Sequence, residues 1–345
     1  MKNIKVWKIR YQQTFAAFFA LALTFVMVKS LGGGLSDFDA GLYGRRKLIL
    51  NFANLRLALG DRVFPNVVVG KDGWMFLSAE RAMEDYQGGT QFSPEQLAEL
   101  SARLWELNNR LAARGAKLIV LIIPNKQTIY ADKIPAELGP LAPNSRLAQF
   151  YAENARSGPP VLMDVRPLLA QGRKTREVYL RTDTHWNNYG AFLAYQAILQ
   201  RLKPDFPALE IRPESDFLFR QGTPLPGDLL KNTGGNLNPE NYLVLEKNFS
   251  EQYGFRELEL GGDHQVTVTW RADAPQLPRL LMFHDSFGFE LRFLLAESFS
   301  KATFVPHFSG QQVWNLNWIE QENPDVVIIE FTERYLDSLP LFLGK

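Results

Sequence analysis

Two short stretches hold the residues best suited to joint chemistry: Asp183 and His185, two apart, and Ser286 further along the chain. Residues two apart in extended chain project to the same side, so a carboxylate at 183 can accept from one ring nitrogen of His185 while the other nitrogen faces outward. That pairing orients a base and stabilises its protonated form. The same segment, Tyr179-Leu180-Arg181-Thr182-Asp183-Thr184-His185-Trp186-Asn187-Asn188, equally suits the start of a helix, with His185 as a cap and Asp183 as its N-terminal acid. Ser286 follows the apolar β-run Arg279-Leu280-Leu281-Met282-Phe283 and precedes a helical pattern from Phe287 to Ser298. A serine at a strand-to-helix turn lifts its hydroxyl above the sheet edge, close to backbone N–H groups that can face a developing oxyanion. The G-x-S-x-G pattern of a nucleophile elbow is absent, and Asp285-Ser286 in its place also fits a plain N-cap.

Other chemistries find less support. The chain has no cysteine, which excludes a thiolate nucleophile, a thiolate metal site and a disulfide scaffold. Its four histidines, at 185, 264, 284 and 307, form neither H-x-x-x-H nor H-E-x-x-H, so no metal is expected, and no motif points to a cofactor. Lys and Arg number 38 against 37 Asp and Glu, which gives no bulk attraction to nucleic acid. With 46% hydrophobic and 22% charged residues, the 345-residue chain has a globular composition rather than a disordered one.

The elements that must hold these residues alternate. Val67 to Leu77 reads as a hairpin turning at Lys71-Asp72-Gly73. Ser93-Pro94-Glu95-Gln96 combines an N-cap, a proline at the first helical position and a capping-box glutamine, opening a helix that runs to Arg114 with Leu97, Leu100, Leu104, Leu107 and Leu111 on one face. Lys117 to Ile123 is a continuous apolar run, the mark of a strand buried on both faces. Helices near 145–155 and 188–202 and strands near 161–163, 279–283, 302–305 and 325–330 continue the rhythm, which predicts an α/β domain with a doubly wound, mainly parallel sheet. Gly222 to Tyr242, rich in Gly, Pro and Asn, reads as a long loop, functional or disordered.

At the N-terminus, Lys2, Lys5, Lys8 and Arg10 precede the uncharged run Thr14 to Val28. The run is shorter than the roughly 20 residues that span a bilayer, but Tyr11 to Leu31 fill the span if Lys29 snorkels outward. No A-x-A site follows, so an uncleaved signal anchor is expected over a cleaved peptide or a core helix, with the basic end cytoplasmic and the remainder exported. The expected organisation is a cytoplasmic tip and anchor at 1–31, a linker with a short helix at 32–64, and a single domain at 65–345.

Asp183-Thr184-His185-Trp186-Asn187 with Gly190-Ala191, taken with Asp285-Ser286-Phe287, resembles the alginate O-acetyltransferases of the AlgJ and AlgX type and their SGNH hydrolase-like domain. Val69 to Leu77, Pro124-Asn125-Lys126, Gly227-Asp228-Leu229 and Glu330 to Leu336 extend the likeness in the family's order over most of residues 65–337. The resemblance implies an SGNH-like sheet with helices on both faces and a permuted motif order, the D-x-H element preceding the serine. It implies Ser286 as nucleophile, His185 as base and Asp183 as orienting acid of an acyl-enzyme that acetylates an exported polysaccharide. A multi-pass membrane acyltransferase would hand over the acetyl group. The implied location is the inner membrane, single-pass, with the catalytic domain in the periplasm. An acetyl-esterase using the same three residues and a non-catalytic glycan-binding component of an export complex are the alternative readings. His284 departs from the pattern, since SGNH enzymes commonly have glycine there, and it leaves several oxyanion donors open: the N–H of Ser286 first, then Gly234, Gly235 or Asn236. Lys126, Arg334 and Trp74 suit a glycan groove, and equally a solvated charge, a helix-end ion pair and a core aromatic.

Overall fold

The computed structural model describes residues 19–25, 45–230, 239–259, 265–307 and 317–343. Contacts separate the residues up to Asp61 from those beginning at Arg62. In the first unit, residues 19–25 and α1 (Arg45–Ala58) are helical. No helix among the described residues is long and apolar enough to cross a membrane. Most of the expected anchor at 11–31, and Gly234, Gly235 and Asn236, lie outside the described residues.

In the second unit, β1 (Val67–Val69) and β2 (Met75–Leu77) form the expected antiparallel hairpin, with Asp72 of the turn at φ 54°. Helix α2 (Pro94–Ala112) opens with both halves of the capping box on Ser93 and Gln96 in place, a device worth about 1 kcal/mol. It buries Leu100, Leu104, Leu107 and Leu111. Strand β3 (Lys117–Ile123) is buried at every position after its first. Further along come α3 (Arg146–Ser157), β4 (Leu162–Asp164) and α4 (Asn188–Leu202). The chain then forms β5 (Phe217–Leu225), β6 (Glu240–Lys247), β7 (Gly254–Glu259) and β8 (Gln265–Trp270). It ends with β9 (Arg279–His284), α5 (Phe289–Leu295), β10 (Lys301–Pro306) and β11 (Val326–Thr332).

The main sheet has the order β4-β3-β11-β9-β10-β8-β7. Side chains alternate between its faces, and the two cores show it: Ile119, Leu121, Met282 and Ile328 pack with α4, whereas Val120, Ile122, Leu281 and Val327 pack with α2 and α3. Burial on both sides is what makes β3, β9 and β11 largely apolar, with Glu330 a buried exception inside β11.

One expectation is refined and one corrected. The sheet is mainly parallel, as expected, but mixed: β4, β3, β11, β9 and β10 are parallel, and β8 runs against them, antiparallel to both β10 and β7. A short connection between β7 and β8 permits an antiparallel return, whereas parallel neighbours need a long crossover. The segment Gly222–Tyr242 is also not loop throughout, because β5 and β6 pair antiparallel at its two ends. Pro224, at the register shift in that pair, removes a donor and hides the strand from a periodicity search. The sheet's edges are β4, only three residues long, and β7, which carries exposed Arg256, Glu257 and Glu259.

Candidate active site

Above the carboxyl end of the parallel strands, where open α/β sheets place their sites, the structure brings Asp183, His185 and Ser286 together. His185 Nε2 lies 2.8 Å from Ser286 Oγ, and Nδ1 lies 2.7 Å from Asp183 Oδ1. An ionised Asp183 can only accept, so Nδ1 carries the proton and Nε2 is left to accept from the serine hydroxyl. Asp183 is held from every side. Oδ1 also accepts from the backbone N–H of His185 at 3.1 Å, and Oδ2 accepts from the N–H of Asp228 at 2.9 Å and the hydroxyl of Tyr242 at 3.3 Å. Burial pushes this carboxyl up, but the hydrogen bond and charge of His185 together with the backbone donors hold it well below the ordinary carboxylate range.

The Asp-x-His loop is not part of the main sheet; a single antiparallel bridge, Tyr179 to Trp186, closes it. Its carbonyls are gathered by Lys126, whose Nζ donates to the oxygens of Leu180 at 2.9 Å, Arg181 at 3.1 Å and Asp183 at 2.6 Å. Lys126 is therefore no solvated charge and no groove residue: it is 2% exposed, and burial lowers its pKa to about 8. Taking an ammonium out of water costs several kcal/mol, so its three acceptors are what keep it there. Glu240 ties the same loop from outside, accepting from the N–H groups of Arg181 at 2.8 Å and Thr182 at 2.6 Å. Gly227 passes so close that a Cβ would stand 2.1 Å from the Thr182 oxygen, which explains glycine beside Asp228. Asp228 in turn accepts from the N–H and hydroxyl of Thr184 at 2.8 and 2.6 Å.

Ser286 sits in a short 3-10 turn, Ser286–Gly288, rather than at the first turn of a regular helix, and α5 starts only at Phe289. Asp285 is the cap, but it does more than cap. One of its oxygens accepts from the N–H of Phe287 at 2.8 Å, and the other accepts from the N–H and hydroxyl of Thr332 at 2.8 and 2.5 Å, fastening the turn to the end of β11. The N–H of Asp285 donates to Glu330 at 2.9 Å, and burial with the adjacent Asp285 charge pushes Glu330 well above the usual carboxylate range. His284 is fully buried, and Gly288 lies against it so closely that a Cβ would meet the histidine Cβ at 2.3 Å. The histidine that stands in place of the usual glycine is thus accommodated by a glycine four residues on. Trp74 is a core aromatic stacked on Tyr130 at 3.9 Å, and Arg334 pairs with Glu80 at 2.9 Å.

Two clefts meet at His185 and Ser286. One, of about 420 Å³, has Leu180, Tyr242, Leu243, Val244, Phe289 and Glu290 in its wall; the other, of about 390 Å³, has Asn66, Glu80, Thr184, Asp228, Arg334 and Tyr335. Among the described residues, only His185 and Ser286 line both. Asp183, His185 and Asp228 also place ligand atoms within 4.8 Å of one another, as a metal site would, but their oxygens already serve the donors named above.

Sequence reasoning missed Asp228, Tyr242 and Glu240 as supports of the Asp-x-His loop and misjudged Lys126. Gly227-Asp228 inside a Gly- and Pro-rich segment was the available signal. The contacts themselves cross long separations that no local pattern reports.

This fold is an SGNH hydrolase-like domain. The chain belongs to the family described as "SGNH hydrolase-like domain, acetyltransferase AlgX", whose model matches residues 67–252. A similar curated relative is the probable alginate O-acetylase AlgJ of Pseudomonas aeruginosa, 28% identical over 313 residues that span 82% of this chain and 74% of the relative. The probable alginate O-acetylase AlgJ of Azotobacter vinelandii is 26% identical over 310 residues, with the same shares of the two chains. Among solved structures, Bacillus cereus PatB1 with a sulfonyl adduct superposes with a TM-score of 0.61 at 15% identity, covering 80% of this chain and 97% of PatB1. The O-acetyltransferase domain of Pseudomonas putida AlgJ gives 0.50 at 21% identity, covering 80% and 93%.

Proposed function

We propose that this chain is a polysaccharide O-acetyltransferase that works through an acetyl-serine at position 286. The observation that carries the reading is the continuous file from Asp183 through His185 to Ser286. His185 Nε2 accepts the serine proton as Oγ attacks the acetyl carbonyl, and Asp183 stabilises the imidazolium that forms. The proton passes to the departing oxygen of the donor. A sugar hydroxyl then gives its proton to His185 and attacks the acetyl-serine, returning Ser286 to its starting state. Within the turn, Asp285 already engages the N–H groups of Phe287 and Gly288, which leaves the N–H of Ser286 as the first donor for the oxyanion.

The test is direct. Purified protein mixed with an acetyl ester is expected to gain the mass of one acetyl group on the peptide that contains Ser286, and to lose it to an added oligosaccharide. Free acetate with no acetylated sugar would favour an esterase; an unmodified Ser286 would end the proposal.

The acceptor is an exported polysaccharide, with alginate the polymer suggested by the relatives' names. Because acetyl-CoA is cytoplasmic, a multi-pass membrane acyltransferase is proposed as the donor, and the chain is held at the inner membrane by residues 11–31 with its main domain in the periplasm. Protease added to spheroplasts is expected to digest that domain; full protection until detergent is added would overturn the placement.

A further inference from the structure

We propose that His185 and Ser286 form the partition between two substrate entrances, the polar cleft receiving the acceptor sugar and the apolar cleft receiving the acetyl donor; this rests on the acetyl-serine reading above. The two clefts have similar size and share no wall residue other than this pair. A double displacement needs one hydroxyl reached by two different partners in turn, and a separate approach for each spares the second from following the path of the first.

The walls differ in what they can satisfy. A sugar ring brings several hydroxyls, and a buried hydroxyl left without a partner costs about 1–3 kcal/mol. Leu243, Val244 and Phe289 offer no side-chain donor or acceptor, and the Tyr242 hydroxyl gives its proton to Asp183. Asn187 and Asn188 spend their amide groups on the Glu177 and Leu243 carbonyls, so beyond Asp183 the one carboxyl in this wall is Glu290, whose pKa is raised by burial. That wall suits an acetyl methyl and the carbon skeleton behind it. The other wall presents Asn66, Glu80 and Tyr335.

Glu80 is the most informative of these. It has φ 54°, and Arg81 beside it has φ 63°, two consecutive non-glycine residues in the left-handed region. Such backbone costs energy and persists where surroundings enforce it. Here the Nε of Arg334 and the hydroxyl of Tyr335 both donate to Glu80 Oε2, at 2.9 and 2.8 Å. Its other oxygen has no hydrogen-bond partner among the described residues and belongs to a side chain that lines the cleft. A fixed carboxylate oxygen, its charge offset by a guanidinium, is an acceptor for sugar hydroxyls. In the second half-reaction the sugar oxygen bonds to the acetyl carbon, the Oγ–carbon bond breaks, and the sugar proton reaches Oγ through His185.

The two halves separate with 4-nitrophenyl acetate as donor and short oligosaccharides of mannuronate or glucose as acceptors. The burst of nitrophenol reads acetylation of Ser286, and the split of acetyl between sugar and water reads transfer. Glu80→Gln and Tyr335→Phe are each expected to cut transfer to sugar at least about tenfold while changing the burst by less than about threefold. Val244→Trp, which narrows the apolar cleft, is expected to slow the burst about tenfold and to leave the split between sugar and water as it was. A normal burst with an unchanged split in both polar-cleft variants, or a wild-type enzyme that diverts no acetyl to either oligosaccharide, would overturn the division of the clefts alone. Absence of any burst in the wild type would instead overturn the acetyl-serine reading and take the division with it.

Discussion

Ser286→Ala is expected to lower acetyl transfer about ten-thousand-fold or more, because in the proposed mechanism it removes the atom that bonds to the acetyl carbon while leaving His185 and Asp183 in place. In free energy that is about 5.5 kcal/mol of lost transition-state stabilisation. The structural cost is small by comparison. Ser286 Oγ makes one hydrogen bond, to His185, and the turn is fastened by Asp285 rather than by the serine. Losing a single bond of that kind costs about 1 kcal/mol, so the variant is expected to unfold within a few degrees of the wild type. Transfer of radiolabelled acetyl to an oligosaccharide, followed beside a circular dichroism melt, checks both statements. A variant that retains more than about a tenth of the activity would exclude Ser286 as nucleophile.

Asp183→Asn is expected to cost about as much, roughly a thousand- to ten-thousand-fold, for a different reason. The wild-type carboxylate accepts four hydrogen bonds, from the backbone and Nδ1 of His185 on one oxygen and from Asp228 N–H and Tyr242 on the other. An amide has one acceptor oxygen, so whichever way the substituted side chain turns, its NH2 faces donors. If the NH2 faces His185, Nδ1 must accept, the proton moves to Nε2, and the ring points a donor at Ser286 when it needs an acceptor. If the NH2 faces Asp228 instead, the tautomer survives but the charge that stabilised the imidazolium is gone. The pH dependence of stability follows the same bonds. The folded pKa of Asp183 lies below its unfolded value, so its contribution is fully present above the unfolded value of about 4 and is lost as pH falls toward the folded one. Wild type and Asp183→Asn are therefore expected to differ most in urea unfolding near neutral pH and to converge in acid. A gap that widened in acid would contradict the assignment of Asp183 as an ionised, fully bonded group.

Much of this arrangement was legible in the sequence. The apolar runs at 117–123, 279–284 and 326–332 identify themselves because strands covered on both faces have few polar positions to interrupt them, and the capping box at Ser93 and Gln96 is a purely local signal. Asp183 and His185 are readable as a pair because their spacing alone points both side chains the same way. What stayed hidden depends on contacts between distant segments. Nothing local separates a solvated lysine from Lys126, whose three acceptors come from a loop more than fifty residues on. Strands β5 and β6 were lost because Pro224 and glycine interrupt the alternation that a search relies on, and β7 because its charged, exposed positions look like loop.

Those same charges on β7, together with the brevity of β4, govern how the molecule behaves in a crowd of its own kind. An open sheet presents unpaired backbone groups along both margins, and a long flat margin recruits a neighbour's strand and seeds aggregates. Here one margin is too short to template such growth, and on the other Arg256, Glu257 and Glu259 stand among the exposed Phe255 and Leu258, so an incoming strand gains apolar contact only where it also matches those charges.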